Sequence, residues 1–238
     1  MKYAYIFHVN RLHLKMNFLS HFYHEYPVHE PYYAAGVILP DILSNYSSRN
    51  KEIVKIHADK IQIADNSAFI FLRAGVKNHY AIDKAFHESD FFFKHTKHIS
   101  NKIRSKEFSC FEKRLYAFSH VFLEMMLDRI ILLQKREVCD TFYHLLNLTD
   151  SHKIGAFVSE NTGTLHSEKI AEHLKGFCRA RFLYDYLYDD VFIQIAESIN
   201  RRLGNKPFSP SDSTYFKHLI YDLQEELLSE NFPKFSTD

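Results

Sequence analysis

Proline is what this chain most conspicuously lacks: after Pro40 none occurs until Pro207, and the whole sequence holds only six Gly and six Pro. Interior proline costs a helix about 3 kcal/mol and interior glycine about 1 kcal/mol. A run this poor in both suits long helices joined by short turns, so the fold class reads as all-α. Fifteen Tyr and 22 Phe with no Trp point to a core packed by phenyl and phenol rings. The 238 residues are enough to bury a sizeable core, and short loop breaks favour one domain.

Charge and cysteine usage narrow the class further. Lys and Arg total 30 against 29 Asp and Glu, a net charge of +1. A general nucleic-acid binder would show a basic excess, so nucleic acid is not expected as a partner. Cys110, Cys139 and Cys178 are odd in number and form no CxxC pair. They read as reduced core thiols of a cytoplasmic protein. The apolar start at residues 1–7 is too short for a signal peptide, and no run approaches the roughly 18 residues of a membrane span. Met16 reads as an alternative initiator, which makes residues 1–15 an N-terminal extension and 16–238 the folded domain.

The periodicity predicts a helix from Asp65 to about Phe93, with Gly75 marking a bend, and a second from Phe108 to Gln134. Ser167–Arg181, Asp189–Leu203 and Ser211 or Asp212 to Leu228 read as further helices. Residues 45–51 read as a polar loop and 150–164 as a turn-rich stretch.

Two of these helices carry polar columns. Residues four apart on a helix share a face, so His79, Asp83 and His87 stack as imidazole, carboxylate, imidazole beside the apolar Ala81, Ile82, Ala85 and Phe86. His120, Glu124 and Asp128 stack likewise, amid Val121, Phe122, Leu123, Met125, Met126 and Leu127. A carboxylate in that setting needs a partner, and a divalent metal is an economical one; Arg129 offers a simple ion pair instead. Sixteen histidines also make some four-residue pairings a matter of chance. Asp41, alone in the apolar stretch 31–43, reads either as a paired or metal-bound carboxylate or as the cap of the following helix. Lys94, Lys97, Lys102, Arg104 and Lys106 form a basic run that is either a solvated face or a docking surface for an acidic partner.

Several of these segments resemble one family in the same order along the chain. Asn17-Phe18-Leu19-Ser20-His21 is similar to the NFLAH opening of acyl carrier protein phosphodiesterases. Gly36-Val37-Ile38-Leu39-Pro40-Asp41 resembles that family's Gly-x-Leu-Leu-Ala-Asp, and His79-Tyr80-Ala81-Ile82-Asp83 its His-Arg-x-Ile-Asp. Glu124 and Asp128 stand where the family has two acids four apart, and the likeness spans roughly residues 16–235.

The resemblance implies an HD-like helical bundle and a metal-dependent phosphodiesterase that removes 4′-phosphopantetheine from holo-acyl carrier protein. It implies Mn²⁺, with Fe²⁺ or Zn²⁺ also suited to mixed imidazole and carboxylate ligands. The implied metal ligands are His21, Asp41, His79, Asp83 and Asp128. The resemblance gives His87 and His120 no counterpart; read from the residues themselves, Arg129 or Lys84 would contact phosphate, and His87 or His120 would protonate the leaving alkoxide. The chain departs from the family at Tyr80 in place of Arg, Arg129 in place of His and Pro40 in place of a small residue. A phosphohydrolase acting on a small molecule, or a helical binding module without catalysis, is the alternative reading.

Overall fold

The computed structural model describes residues 18–62, 66–106 and 108–230, and among them there is no β-strand. The order is α1 (Leu19–Glu25), α2 (Pro31–Asn50), α3 (Ser67–His87), α4 (Asp90–Ser105), α5 (Leu115–Gln134) and α6 (Arg136–Asn147). Then follow α7 (Ser151–Thr162), α8 (Ser167–Ala180), a 3₁₀ helix (Phe182–Leu187), α9 (Asp189–Arg202) and α10 (Pro210–Ser229). The all-α reading holds. The proposed extension at residues 1–15 lies outside the described residues.

Local chemistry places the boundaries. Asn66, Ser89 and Asp150 each accept a hydrogen bond from a backbone N–H in the first turn of α3, α4 and α7. Ser209 and Asp212 form a reciprocal capping box at the start of α10. The single helix expected from Asp65 to Phe93 is therefore two, divided where the Ser89 side chain caps a new start. The expected loop at 45–51 is also corrected, because α2 continues to Asn50 and ends at Lys51 with φ 55°. Likewise α5 begins only at Leu115, after Arg114 turns the chain at φ 53°. The turn-rich stretch 150–164 is mostly helix α7. Asn161 and Thr162 donate to carbonyls four residues back, and Gly163 ends the helix at φ 74°.

Helix α5 is the axis of the molecule. Nearly every residue from Phe118 to Leu132 is buried, and α1, α4, α6, α9, α10 and the 3₁₀ helix all pack on it. Rings fill the space around it: Phe118 and Phe122 stack at 5.6 Å, with Phe216 of α10 4.9 Å from Phe122. The buried apolar side chains form one core from Phe18 to Leu227.

The tightest helix pair is α2 with α3, and glycine sets its spacing. A Cβ on Gly75 would lie 2.3 Å from the Tyr33 carbonyl oxygen and 2.7 Å from the Val37 nitrogen. One on Gly36 would lie 2.4 Å from the Leu72 carbonyl oxygen. Gly75 thus serves close approach rather than the expected bend. Asp41 lies just over one turn beyond Gly36, and His79 about one turn beyond Gly75, so this contact brings the two functional side chains face to face.

Candidate metal centre

Asp41 sits in the middle of α2 and is fully buried, so the capping alternative falls. Pro40 lies inside the same helix without ending it. Across the glycine contact, His79 is also fully buried, and its Nδ1 lies 2.7 Å from the Val37 carbonyl oxygen. A carbonyl only accepts, so Nδ1 carries a proton and Nε2 is left as the ring's outward ligand atom. Nε2 faces Asp41, 3.9 Å from its Oδ1. His21 comes in from α1, with Nε2 3.8 Å from Asp41 Oδ2 and 4.0 Å from Asp83 Oδ1. The His21 and His79 rings lie 4.2 Å apart.

These separations are too long for hydrogen bonds. They suit ligand atoms about 2.0–2.2 Å from a shared ion, which commonly stand some 3 to 4 Å apart. Ligand atoms of His21, His79 and Asp83 lie within 4.8 Å of one another. The carbonyl bond that fixes the His79 tautomer is also what metal-bound imidazoles generally make with their second nitrogen. The residues present therefore fit a divalent ion. His21, Asp41 and His79 form a buried floor, and Asp83, 20% exposed, marks the open side.

From Asp83 the polar contacts continue along α3. His87 Nδ1 lies 2.7 Å from the Asp83 carbonyl oxygen and 3.4 Å from its Oδ1. Its Nε2 approaches His120 Nε2 at 2.8 Å and Glu124 Oε1 at 3.5 Å. His120 Nε2 lies 2.9 Å from the same Glu124 oxygen. Burial pushes the Glu124 carboxyl up, but the two imidazoles more than reverse that and draw it down to about 2. Burial alone would lower His87, yet Glu124 and Asp83 hold it above its ordinary value.

No protein-family model, curated protein or solved structure matches this chain. What the site can do rests on its geometry.

The remaining predicted residues go elsewhere. Asp128 does not join the cluster: its Oδ2 accepts from the N–H groups of Phe18 and Leu19, and its Oδ1 from the N–H and hydroxyl of Ser20. It caps α1 from outside, as a carboxylate does well at a positive helix end. Burial still pushes its carboxyl up to about 7, against the pull of those four bonds. Asp128 is thus a positioning residue, holding the helix that carries His21.

Arg129 is buried and committed to Asp189 Oδ1 at 2.6 Å, the Tyr186 carbonyl at 2.6 Å and Gln224 Oε1 at 3.1 Å. Its expected phosphate contact is corrected, and so is its pairing with the α5 carboxylates. Lys84 is solvent-exposed, 4.0 Å from Glu88. Tyr80 donates its hydroxyl to the Ile56 carbonyl at 2.7 Å.

The residue that sequence reasoning left out of the site is Glu124. Its signal was present, since it lies one turn from His120 on the same face. The basic run proves to be α4, with Lys94 paired to Glu230 at 2.7 Å and Lys102 to Glu226 at 2.9 Å. The three cysteines are buried, and burial pushes Cys110 and Cys139 up to about 12 and Cys178 to about 11. Among the described residues, no helix is long and apolar enough to cross a membrane.

Proposed function

We propose that this chain is a metal-dependent phosphodiester hydrolase, with His21, Asp41, His79 and Asp83 as ligands of its divalent ion. The observation that carries the reading is His79 Nε2 standing 3.9 Å from a buried carboxylate, with a second imidazole beside it. An imidazole nitrogen and a carboxylate oxygen at such separations match ligand atoms arranged around a shared divalent ion. Mn²⁺, Fe²⁺ and Zn²⁺ all match the mixed nitrogen and oxygen set. When bound, such an ion supplies Lewis-acid charge and a nucleophile from water at neutral pH.

The side chains divide the remaining work. The buried floor of His21, Asp41 and His79 excludes bulk solvent and keeps the local dielectric low, which strengthens attraction for an anionic substrate. Asp83 stands at the opening, where a phosphodiester would enter. His87 and His120 are the partly exposed imidazoles next along that edge.

The resemblance favours holo-acyl carrier protein as the substrate. The pairing of Lys94 and Lys102 with acids of α10 favours a smaller phosphodiester, because it removes part of the basic surface an acidic carrier would meet; Lys97, Arg104 and Lys106 stay exposed. Purified protein reconstituted with Mn²⁺ is offered holo-carrier protein and bis-p-nitrophenyl phosphate in parallel. Release of phosphopantetheine supports the carrier reading. Cleavage of the small diester alone supports the small-molecule reading. Cleavage of neither, with metal bound, defeats the hydrolase.

A further inference from the structure

Beyond the His21–Asp41–His79–Asp83 cluster lies a second convergence of ligand atoms. His87 Nε2, His120 Nε2 and Glu124 Oε1 form a triangle with edges of 2.8, 2.9 and 3.5 Å. Ligand atoms bound at about 2.0–2.2 Å to one ion, at angles between roughly 90° and 109°, stand roughly 2.8 to 3.6 Å apart, so a single ion can touch all three. The triangle lies between α3 and α5, and each helix gives its share at one-turn spacing.

We propose that His87, His120 and Glu124 form a second divalent-cation site, one that takes a borderline transition metal such as Zn²⁺. Three observations carry the inference. First, His87 Nδ1 meets the Asp83 carbonyl at 2.7 Å, so that nitrogen bears a proton and Nε2 is left as the ring's ligand atom. This repeats the arrangement of His79 against Val37, the buttress that orients metal-bound imidazoles. Second, His87 Nε2 faces a second imidazole nitrogen and a carboxylate oxygen, and one proton on His120 Nε2 can serve only one of its two neighbours well. Third, Glu124 is 2% exposed, and its buried Oε2 has no hydrogen-bond partner. A buried carboxylate with an unsatisfied oxygen is costly, and a cation at Oε1 offsets that cost.

Three protein ligands leave a fourth position open, the pattern of catalytic rather than structural zinc. The open side faces solvent, since His87 and His120 are 24% and 30% exposed. Asp83 adjoins both clusters, 4.0 Å from His21 and 3.4 Å from His87. The two cations would therefore flank Asp83, and neighbouring cations can clamp the attacking and leaving oxygens in phosphoryl transfer. Holding an ion also excludes the proton-donor role for this imidazole pair.

The second site does not depend on the first, and the test keeps them apart. Zn²⁺ bound per chain is measured by equilibrium dialysis and elemental analysis for wild type, His120→Ala, Glu124→Gln and His79→Ala, with circular dichroism checking each fold. Wild type should hold two equivalents, and each of the three variants one. Glu124→Gln keeps the buried volume and His120→Asn keeps a polar group, so either stands in for a variant that misfolds. One equivalent in wild type that persists in His120→Ala overturns the proposal and leaves the pair as a proton carrier. Two equivalents retained in both His120→Ala and Glu124→Gln overturn it as well. One equivalent lost in His120→Ala but kept in His79→Ala upholds this site and defeats the first.

Discussion

Helices α3 and α5 each carry three polar residues at four-residue spacing, and the two columns meet different fates. On α3, His79, Asp83 and His87 join a continuous line of contacts with α1, α2 and α5. On α5, His120 and Glu124 join that line, but Asp128 closes the N-terminus of α1 instead. The residue types hardly differ, and neither does the burial of the innermost members. What differs is the group opposite. Asp41 and His21 face α3 with a carboxylate and a ring nitrogen, which leaves room for a cation. Three backbone N–H groups of residues 18–20 face Asp128 inside α5, and they take the carboxylate for themselves. Spacing determines which side chains share a face; the neighbouring helix decides what they do.

The comparison breaks most completely if the glycine contact is removed. Gly75→Leu drives a side chain into the α2 backbone and should cost at least about 4 kcal/mol in urea unfolding, or prevent folding. Next, Asp128→Ala leaves buried N–H groups of α1 unsatisfied and should cost about 3 kcal/mol. Asp83→Ala, at the opening, should cost less than about 1 kcal/mol in metal-free protein and yet weaken metal binding. Equal losses of stability would erase the distinction between the columns.

Chelation sharpens it further. With ion at a hundredfold excess over Kd, removal should cost about 2.7 kcal/mol. That loss should appear in the wild type and in Asp128→Asn, and shrink in Asp41→Asn.

His173 supplies a pH reference away from both columns. Burial, helped by Arg49, pushes it from 6.5 down to about 4. Between those values the unfolded chain takes a proton that the folded chain refuses, so stability falls as pH drops. His173→Phe should flatten that fall by about 2 kcal/mol near pH 5, measured by thermal melts across pH.

Much of this was legible in the sequence, and the failures share a cause. Scarce proline and glycine gave the helical class, and apolar periodicity placed α8, α9 and α10 within a residue or so. His79 and Asp83 stood out because helix geometry alone puts them on one face. Asp41 was conspicuous as a lone charge among apolar residues, although its place inside α2 was hidden by Pro40, which usually ends a helix. Asp128 and Arg129 misled because their partners, the start of α1 and Asp189, lie 108 or more and 60 residues away in sequence. Gly75 signalled a special backbone position, but only the packed pair shows that the need is proximity to α2. Glu124 was visible as a costly buried carboxylate; its imidazole from α3 required the tertiary fold.

The central claim is that Asp41 is a metal ligand and Asp128 a cap. Calorimetric titration of Mn²⁺ into metal-free wild type, Asp41→Asn and Asp128→Asn tests it directly. Both substitutions keep shape and replace a carboxyl oxygen by an amide nitrogen. The account predicts that Asp128→Asn keeps the wild-type stoichiometry with a lower melting temperature, while Asp41→Asn loses an equivalent of metal. Loss of metal in Asp128→Asn with full retention in Asp41→Asn would contradict it.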